Sequence, residues 1–349
     1  MFNRILVPLD GSTLAEKAIP HAEQFARMFG SSINLLQVLE PTSYHENPKA
    51  VDPLSWQIRK AEADVYMQGI AARIREHLGE NAQLEAAEKK SRVDYAIREG
   101  KTAENIIDFA HAENIDLLVI SSHGSGGLSR WNLSSVSQKV INLAYLHVLV
   151  VRAYAQTGSD DDKICYHRIL LPFDSSRRAE TSLSAAIILS RSQISMRNTA
   201  EAEKTIPEAS SESPKLVLAA VIKPPEIPIP KPYPPEIDQL SEQLMQVSRN
   251  AVNNYLNEMK GRLPVDCETC VVENDGVAAA INELASKDDI DLVVLSAHGY
   301  SGQFIWPYGT VTRNYIEHGT KPVLIIQDVP RSQVQPTAAQ IAAEKSGSR

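Results

Sequence analysis

A chain of 349 residues with 43% hydrophobic content and a net charge of −8 is long enough for two domains, each with its own core. The acidic balance argues against broad binding to nucleic acid or an anionic membrane, both of which need clustered Lys and Arg. Three cysteines (Cys165, Cys267 and Cys270) are too few for a disulfide framework and fit a reducing, cytoplasmic setting. The opening MFNRILVPLDGS has no signal-peptide pattern, and no apolar run reaches the roughly 18 residues that mark a membrane span.

In chain order, Arg4–Leu9 is a short aliphatic run, as expected of a strand buried on both faces. Ser12–Phe29 has helical spacing, with Thr13-x-x-Glu16 as a capping box and Gly30 as a C-cap. Asn34–Leu39 is a second strand, Trp56–Leu78 a long helix ending at Gly79, and a third strand lies near Ala86–Val93. Thr102–Glu113 (helix), Leu117–Ser121 (strand), Ser135–Ala144 (helix) and Val148–Arg152 (strand) complete the unit.

The unit then repeats. Arg4-Ile-Leu-Val-Pro-Leu-Asp-Gly-Ser12 returns as Arg168-Ile-Leu-Leu-Pro-Phe-Asp-Ser-Ser176, 164 residues on. Asp116-Leu-Leu-Val-Ile-Ser-Ser-His-Gly124 returns as Asp291-Leu-Val-Val-Leu-Ser-Ala-His-Gly299, and Val148-Leu-Val-Val-Arg152 as Val323-Leu-Ile-Ile-Gln327, both 175 residues on. The order is kept and the offsets differ by one insertion, so the chain is a tandem duplication. Domain 1 spans 1–153, a linker 154–164, domain 2 165–329 and a tail 330–349. The insertion falls at 196–214 (MRNTAEAEKTIPEASSESP), a polar stretch that reads as a solvated excursion. A Pro-dense segment, 223–235, reads as an extended surface loop; a peptide-ligand role is the sharper alternative.

Strands alternating with helices imply α/β domains, each a doubly wound five-stranded parallel sheet of Rossmann-like type. Ligands of such sheets sit outside the carboxyl ends of the strands, where strand order reverses. Those ends carry the best-preserved parts of the repeat. After the fourth strand, copy two reads Ser296-Ala-His-Gly299, nine residues, then Gly309-Thr310; copy one reads Ser121-Ser-His-Gly124, nine residues, then Ser134-Ser135. A helix follows in both. A small-residue turn leading to a helix start offers backbone N–H donors and a positive dipole end to an anion. The alternative is a tight turn with an N-cap. Asp10 and Asp174, at the ends of the first strands, are either ligand contacts or caps of the next helix.

This arrangement resembles the Gly-x2-Gly-x9-Gly-Ser/Thr nucleotide loop of universal stress proteins. The opening strand ending in Asp-Gly-Ser, the Asp-Leu-Leu-Val strand and the closing Val-Leu-Val-Val strand resemble that family in order, over nearly the whole chain. The resemblance implies binding of ATP or another adenine nucleotide, with or without Mg. It places the first-strand aspartate (Asp10, Asp174) at the adenine end and the close of the second strand (Val38, Val221) on the base. It places the loop (Ser121, Gly124, Ser134 and Ser135; Ser296, Gly299, Gly309 and Thr310) on ribose and phosphates. It also implies an intrachain pseudo-dimer with the last strands, Val148–Arg152 and Val323–Gln327, meeting along a pseudo-two-fold, and further homodimer formation as an option.

Both copies depart from the loop motif by opening it with serine. Copy one also has Ser134 where the third glycine belongs; a Cβ there is expected to obstruct phosphate or to forbid a turn with φ > 0. Copy two is therefore the better site. His123 and His298 read as residues that orient the loop, since no local motif links them to a carboxylate or nucleophile. Cys267-x-x-Cys270 lies in a predicted strand, where positions i and i+3 face opposite ways, and one pair supplies only half a structural zinc site. No Gly-x4-Gly-Lys-Ser/Thr occurs, and Gly124-Ser-Gly-Gly127 follows the fourth strand rather than the first, so neither a P-loop nor a dinucleotide fingerprint is present. The reading is a nucleotide-binding stress or signalling protein with no catalytic set beyond slow ATP hydrolysis. The alternatives are an interaction module that has lost its ligand and a weak ATP hydrolase.

Overall fold

A computed structural model describes residues 1–41, 53–79, 92–124, 133–154, 164–202, 215–230, 232–287, 289–300 and 307–329. Of the expected linker 154–164, residues 155–163 lie outside them, as does the expected tail 330–349. Copy one contains β1 (Arg4–Leu9), α1 (Thr13–Glu16), α2 (Ala18–Phe29), β2 (Ser32–Leu39), α3 (Pro53–His77), β3 (Val93–Glu99), α4 (Thr102–Ala112), β4 (Leu117–Ser121), α5 (Ser135–Ala144) and β5 (His147–Val151). Copy two contains β6 (Arg168–Phe173), α6 (Thr181–Ala202), β7 (Lys215–Ile222), α7 (Pro235–Arg262), β8 (Cys267–Glu273), α8 (Val277–Lys287), β9 (Leu292–Ser296), α9 (Thr310–His318) and β10 (Val323–Ile326).

The ten strands form one sheet in the order β3-β2-β1-β4-β5-β10-β9-β6-β7-β8. Within each copy every pairing is parallel. At the centre β5 meets β10 antiparallel, with Leu149 opposite Leu324. Each strand's side chains alternate between two apolar layers, one holding Ile5, Val7 and Leu9 and the other Leu6. Each layer includes residues of both copies, so the core runs through the central seam. The expected pseudo-dimer is thus a continuous sheet, with strand order reversing beside β1 in one half and β6 in the other.

Side chains lock the seam. Arg152, just after β5, donates from Nη2 to Tyr315 O (2.6 Å), from Nη1 to Ile316 O (2.9 Å) and from Nε to Lys321 O (3.3 Å). It thereby adds donors to carbonyls at the C-terminus of α9, where Tyr315 O also accepts from the Gly319 N–H at 2.8 Å. Burial lowers its pKa to about 10. Tyr308 donates its hydroxyl to Ile141 O at 2.9 Å, and the Gln327 N–H donates to His147 Nδ1 at 3.0 Å. His21 and the Tyr166 hydroxyl hydrogen-bond at 2.6 Å.

Several local expectations are corrected. Ser12–Phe29 is two helices, because Lys17 ends α1 and starts α2. The cap of α1 is Ser12, whose Oγ accepts from the Ala15 N–H at 3.2 Å, so the Thr13–Glu16 capping box does not form. Glu16 accepts from the Tyr66 hydroxyl instead, at 3.0 Å. Gly30 does cap α2, at φ 69°. The third strand runs Val93–Glu99, not Ala86–Val93, of which 86–91 lie outside the described residues. Among the described residues it is an edge strand paired with β2 alone, and its Asp94, Arg98 and Glu99 hide it in a polar reading. The polar insertion begins as helix: α6 continues to Ala202 before 203–214, which are outside the described residues.

Candidate functional site

The site of copy two is built at the carboxyl ends of β6 and β9. Asp174 follows β6, and the next residue, Ser175, takes a left-handed φ of 62° that turns the chain sharply. The Asp174 carboxylate accepts from the Ser176 N–H at 3.0 Å and the Tyr300 N–H at 2.6 Å. It therefore ties the first-strand turn to the turn after β9. Gly299 packs directly on this carboxylate: a Cβ built there would overlap Asp174 Oδ2. The glycine is needed for close approach, not for an unusual φ. Gly299→Ala is expected to displace Asp174, and with it the Tyr300 contact, at a cost of about 1–3 kcal/mol; urea unfolding of the variant checks this, and an unchanged midpoint would refute it.

The rest of the loop is stitched to α9. Ser296 donates its hydroxyl to His298 O at 2.8 Å, and Thr312 donates to Ser296 O at 2.8 Å. The Gly309 N–H donates to Ala297 O at 2.8 Å. Gly309 is the N-cap of α9 and offers no side chain to the helix start, and Thr310 is the exposed first residue. The N-terminal N–H groups of α9 thus lack a side-chain cap beside Gly299, an arrangement suited to an anion. Residues 301–306, the interior of the loop, lie outside the described residues.

Copy one repeats the frame and changes the cap. Asp10 accepts from the Ser12 N–H at 3.0 Å and the Ser12 hydroxyl at 2.6 Å, and a Cβ on Gly124 would overlap Asp10 Oδ2. Ser121 is buried, and its Oγ accepts from the His123 N–H at 3.4 Å. Ser134 donates its N–H to Ser122 O at 2.9 Å, as Gly309 does to Ala297. Its hydroxyl accepts from the Ser137 N–H at 3.1 Å, so α5 is capped by its own chain, with Ser135 exposed as its first residue.

The expected reason for the asymmetry is therefore corrected. Ser134 has φ −61° and Gly309 φ −67°, so neither position needs a left-handed turn. A Cβ at Gly309 would meet nothing closer than 3.6 Å, so serine fits without obstruction. What differs is the supply of N–H donors: Ser134 occupies one that Gly309 leaves open.

Val38 and Val221 are half-buried near the close of β2 and β7 and pack on the second apolar layer. Neither is given a ligand-facing contact by the fold alone. Three features escaped the sequence. Gln37 is buried beside Val38 with its Oε1 unpartnered, where copy two has Ala220. Tyr255 donates to Glu180 at 3.0 Å, as Tyr66 does to Glu16, and burial followed by the glutamate contact raises both phenols. His298 Nδ1 lies 2.7 Å from Asp328 Oδ1, and Arg178 Nε lies 3.7 Å from Asp328 Oδ2. The last set gives His298 the carboxylate partner that no local motif announced. Among the described residues, no group of three or more His, Cys, Asp or Glu side chains is placed to hold a metal, and no helix is long and apolar enough to cross a membrane. Cys267 is buried in one apolar layer and Cys270 packs against the other, so the two thiols lie on opposite faces of the sheet.

The sequence profile of the Universal stress protein family matches residues 1–152 and again 166–327. The chain belongs to the universal stress protein family. It is a tandem member, with two family domains in one polypeptide. Universal stress protein YxiE of Bacillus subtilis is 30% identical over 161 residues, covering 44% of this chain and 100% of the relative. Universal stress protein Sll1654 of Synechocystis is 32% identical over 159 residues, covering 43% of this chain and 86% of the relative. A universal stress protein structure from Archaeoglobus fulgidus covers 94% of this chain and 100% of its own at a TM-score of 0.55 and 17% identity, a likeness of fold.

Proposed function

We propose that this universal stress protein binds ATP or another adenine nucleotide in its second copy. Occupancy would bias conformation or partner contacts in a stress response or signalling role. The uncapped start of α9 is the observation that carries the reading: Gly309 leaves N–H donors without a side-chain acceptor, next to a glycine turn pressed on Asp174. In this reading the phosphates lie on Gly299, Gly309 and Thr310, with Ser296 at the ribose edge, and the base lies between Asp174 and Val221. Copy one offers the same frame through Asp10, Val38, Ser121, Gly124 and Ser135, but Ser134 has closed the helix start, so it binds weakly. Any magnesium would arrive with the nucleotide.

The cap asymmetry makes a reciprocal test. Gly309→Ser turns the second helix start into the first, and Ser134→Gly does the reverse. Losing one N–H donor to phosphate is expected to weaken ATP binding by about tenfold or more in Gly309→Ser. Ser134→Gly is expected to raise affinity in copy one. ATP titrations of both variants decide it; equal affinity in wild type and Gly309→Ser would refute the assignment.

A further inference from the structure

Three adjacent strands, β10, β9 and β6, end side by side. Just beyond those ends stand Asp328, His298 and Arg178, and their side chains join across the edge of the sheet. The His298 and Asp328 side chains are 3% and 4% exposed. His298 Nδ1 is 2.7 Å from Asp328 Oδ1, and Arg178 Nε is 3.7 Å from Asp328 Oδ2. A carboxylate so placed accepts from the ring N–H, which fixes both the tautomer and the plane of the imidazole.

Copy one is an internal control. The residues equivalent to Arg178 and Asp328 are Leu14 and Ala153, at offsets of 164 and 175. His123 keeps its place, but its Nδ1 hydrogen-bonds to the neighbouring Ser122 hydroxyl at 3.0 Å. That hydroxyl also accepts from the Ala153 N–H at 3.1 Å. The His123 Nε2 is buried without a partner. So a neutral contact between loop neighbours stands where copy two has an ionic strap over three strand ends.

We infer that Asp328 and Arg178 are positioning residues that hold the copy-two loop ready for its ligand, a function absent from copy one. His298 is the pivot. On one side of it Ala297 O accepts from Gly309 N–H, which seats the start of α9. On the other side Gly299 lies on Asp174 and the Tyr300 N–H is bonded to it. Fixing the imidazole fixes both contacts at once. Removing the carboxylate's charge weakens the acceptor that the buried ring and the guanidinium share, and the turn's anchor loosens. The inference rests on the nucleotide reading only for what the loop receives; the strap itself is a property of the chain without ligand.

The test is amide hydrogen exchange on the full, nucleotide-free chain, paired with ATP titration of the wild type. Asp328→Asn keeps the shape and removes the charge, and Arg178→Leu installs the copy-one residue. Exchange at Tyr300 and Gly309 is expected to speed by about tenfold or more in both variants. The amides of Val294 and Leu295 inside β9, and those of Ser122–Gly124, should keep their rates. Asp328→Glu, which restores the carboxylate, should recover most of the protection. Where the wild type binds ATP, Asp328→Asn and Arg178→Leu should each weaken it by about tenfold. Unchanged protection at Tyr300 and Gly309 in both variants overturns the strap. Lost protection together with a wild type that takes up no ATP upholds the strap and overturns the nucleotide reading instead.

Discussion

Arg152→Met is expected to destabilise the chain by about 2–4 kcal/mol. Arg152 is a side chain of copy one that reaches into copy two. Its three donors serve Tyr315 O, Ile316 O and Lys321 O, two of them in the last turn of α9. Methionine fills much of the same volume, and it removes the desolvation penalty that lowers the guanidinium pKa to about 10. That relief offsets part of the loss. It cannot supply donors, so Ile316 O and Lys321 O lose the guanidinium contacts, while Tyr315 O keeps the Gly319 N–H. Gln327 occupies the equivalent position in copy two and donates its N–H to His147, so no symmetric partner compensates. Urea unfolding of the full chain measures the effect. A loss below about 0.5 kcal/mol, the range of an ordinary surface change, would contradict the account of the seam.

Mild acid is expected to loosen the same seam. His21 is fully buried against Tyr166, and burial depresses its pKa from 6.5 to about 4. Above about pH 6.5 the imidazole is neutral both folded and unfolded, and its contribution is fully present. Below that, the unfolded chain takes up a proton that the folded chain refuses. Stability then falls by up to about 1.4 kcal/mol per pH unit until about pH 4, or about 3 kcal/mol in all. His147, which accepts the Gln327 N–H across β5 and β10, is depressed by burial too and acts in the same sense. Carboxylates elsewhere also respond to acid, so the informative quantity is a difference between proteins. His21→Gln keeps a hydrogen-bonding group near Tyr166 and removes the titration. The gap between variant and wild type in unfolding free energy should shift by about 3 kcal/mol in the variant's favour between pH 7 and pH 4. A gap that stays constant over that interval would show that His21 titrates normally.

These effects differ in how far the sequence announced them. The scaffold was legible because the duplication printed it twice: β1 and β6, β4 and β9, and β5 and β10 are aliphatic runs in the same order. Apolar runs suffice because parallel strands are buried on both faces. The partnership of Asp10 with Gly124 and of Asp174 with Gly299 follows from the same strand ends, although the reason for glycine, contact with a carboxylate, is visible only in space. Edge strand β3 was misplaced because exposure on one side lets it carry Asp94, Arg98 and Glu99. The Arg178–Asp328–His298 strap was invisible for a different reason. Its members are separated by 120 and 30 residues and lie in loops, where no periodicity reports on neighbours. The Ser134 and Gly309 difference is legible in the sequence, but its consequence in the fold is a helix cap rather than an obstruction or a forbidden turn. The backbone angles show that both positions are ordinary, and the bond from the Ser137 N–H shows that the hydroxyl acts as a cap.

Calorimetric titration of the purified full chain with ATP decides whether copy two holds a nucleotide. One well-defined site per chain is expected, with at most a much weaker second event from copy one. No heat of binding up to millimolar ATP would contradict it, as would two sites of equal affinity.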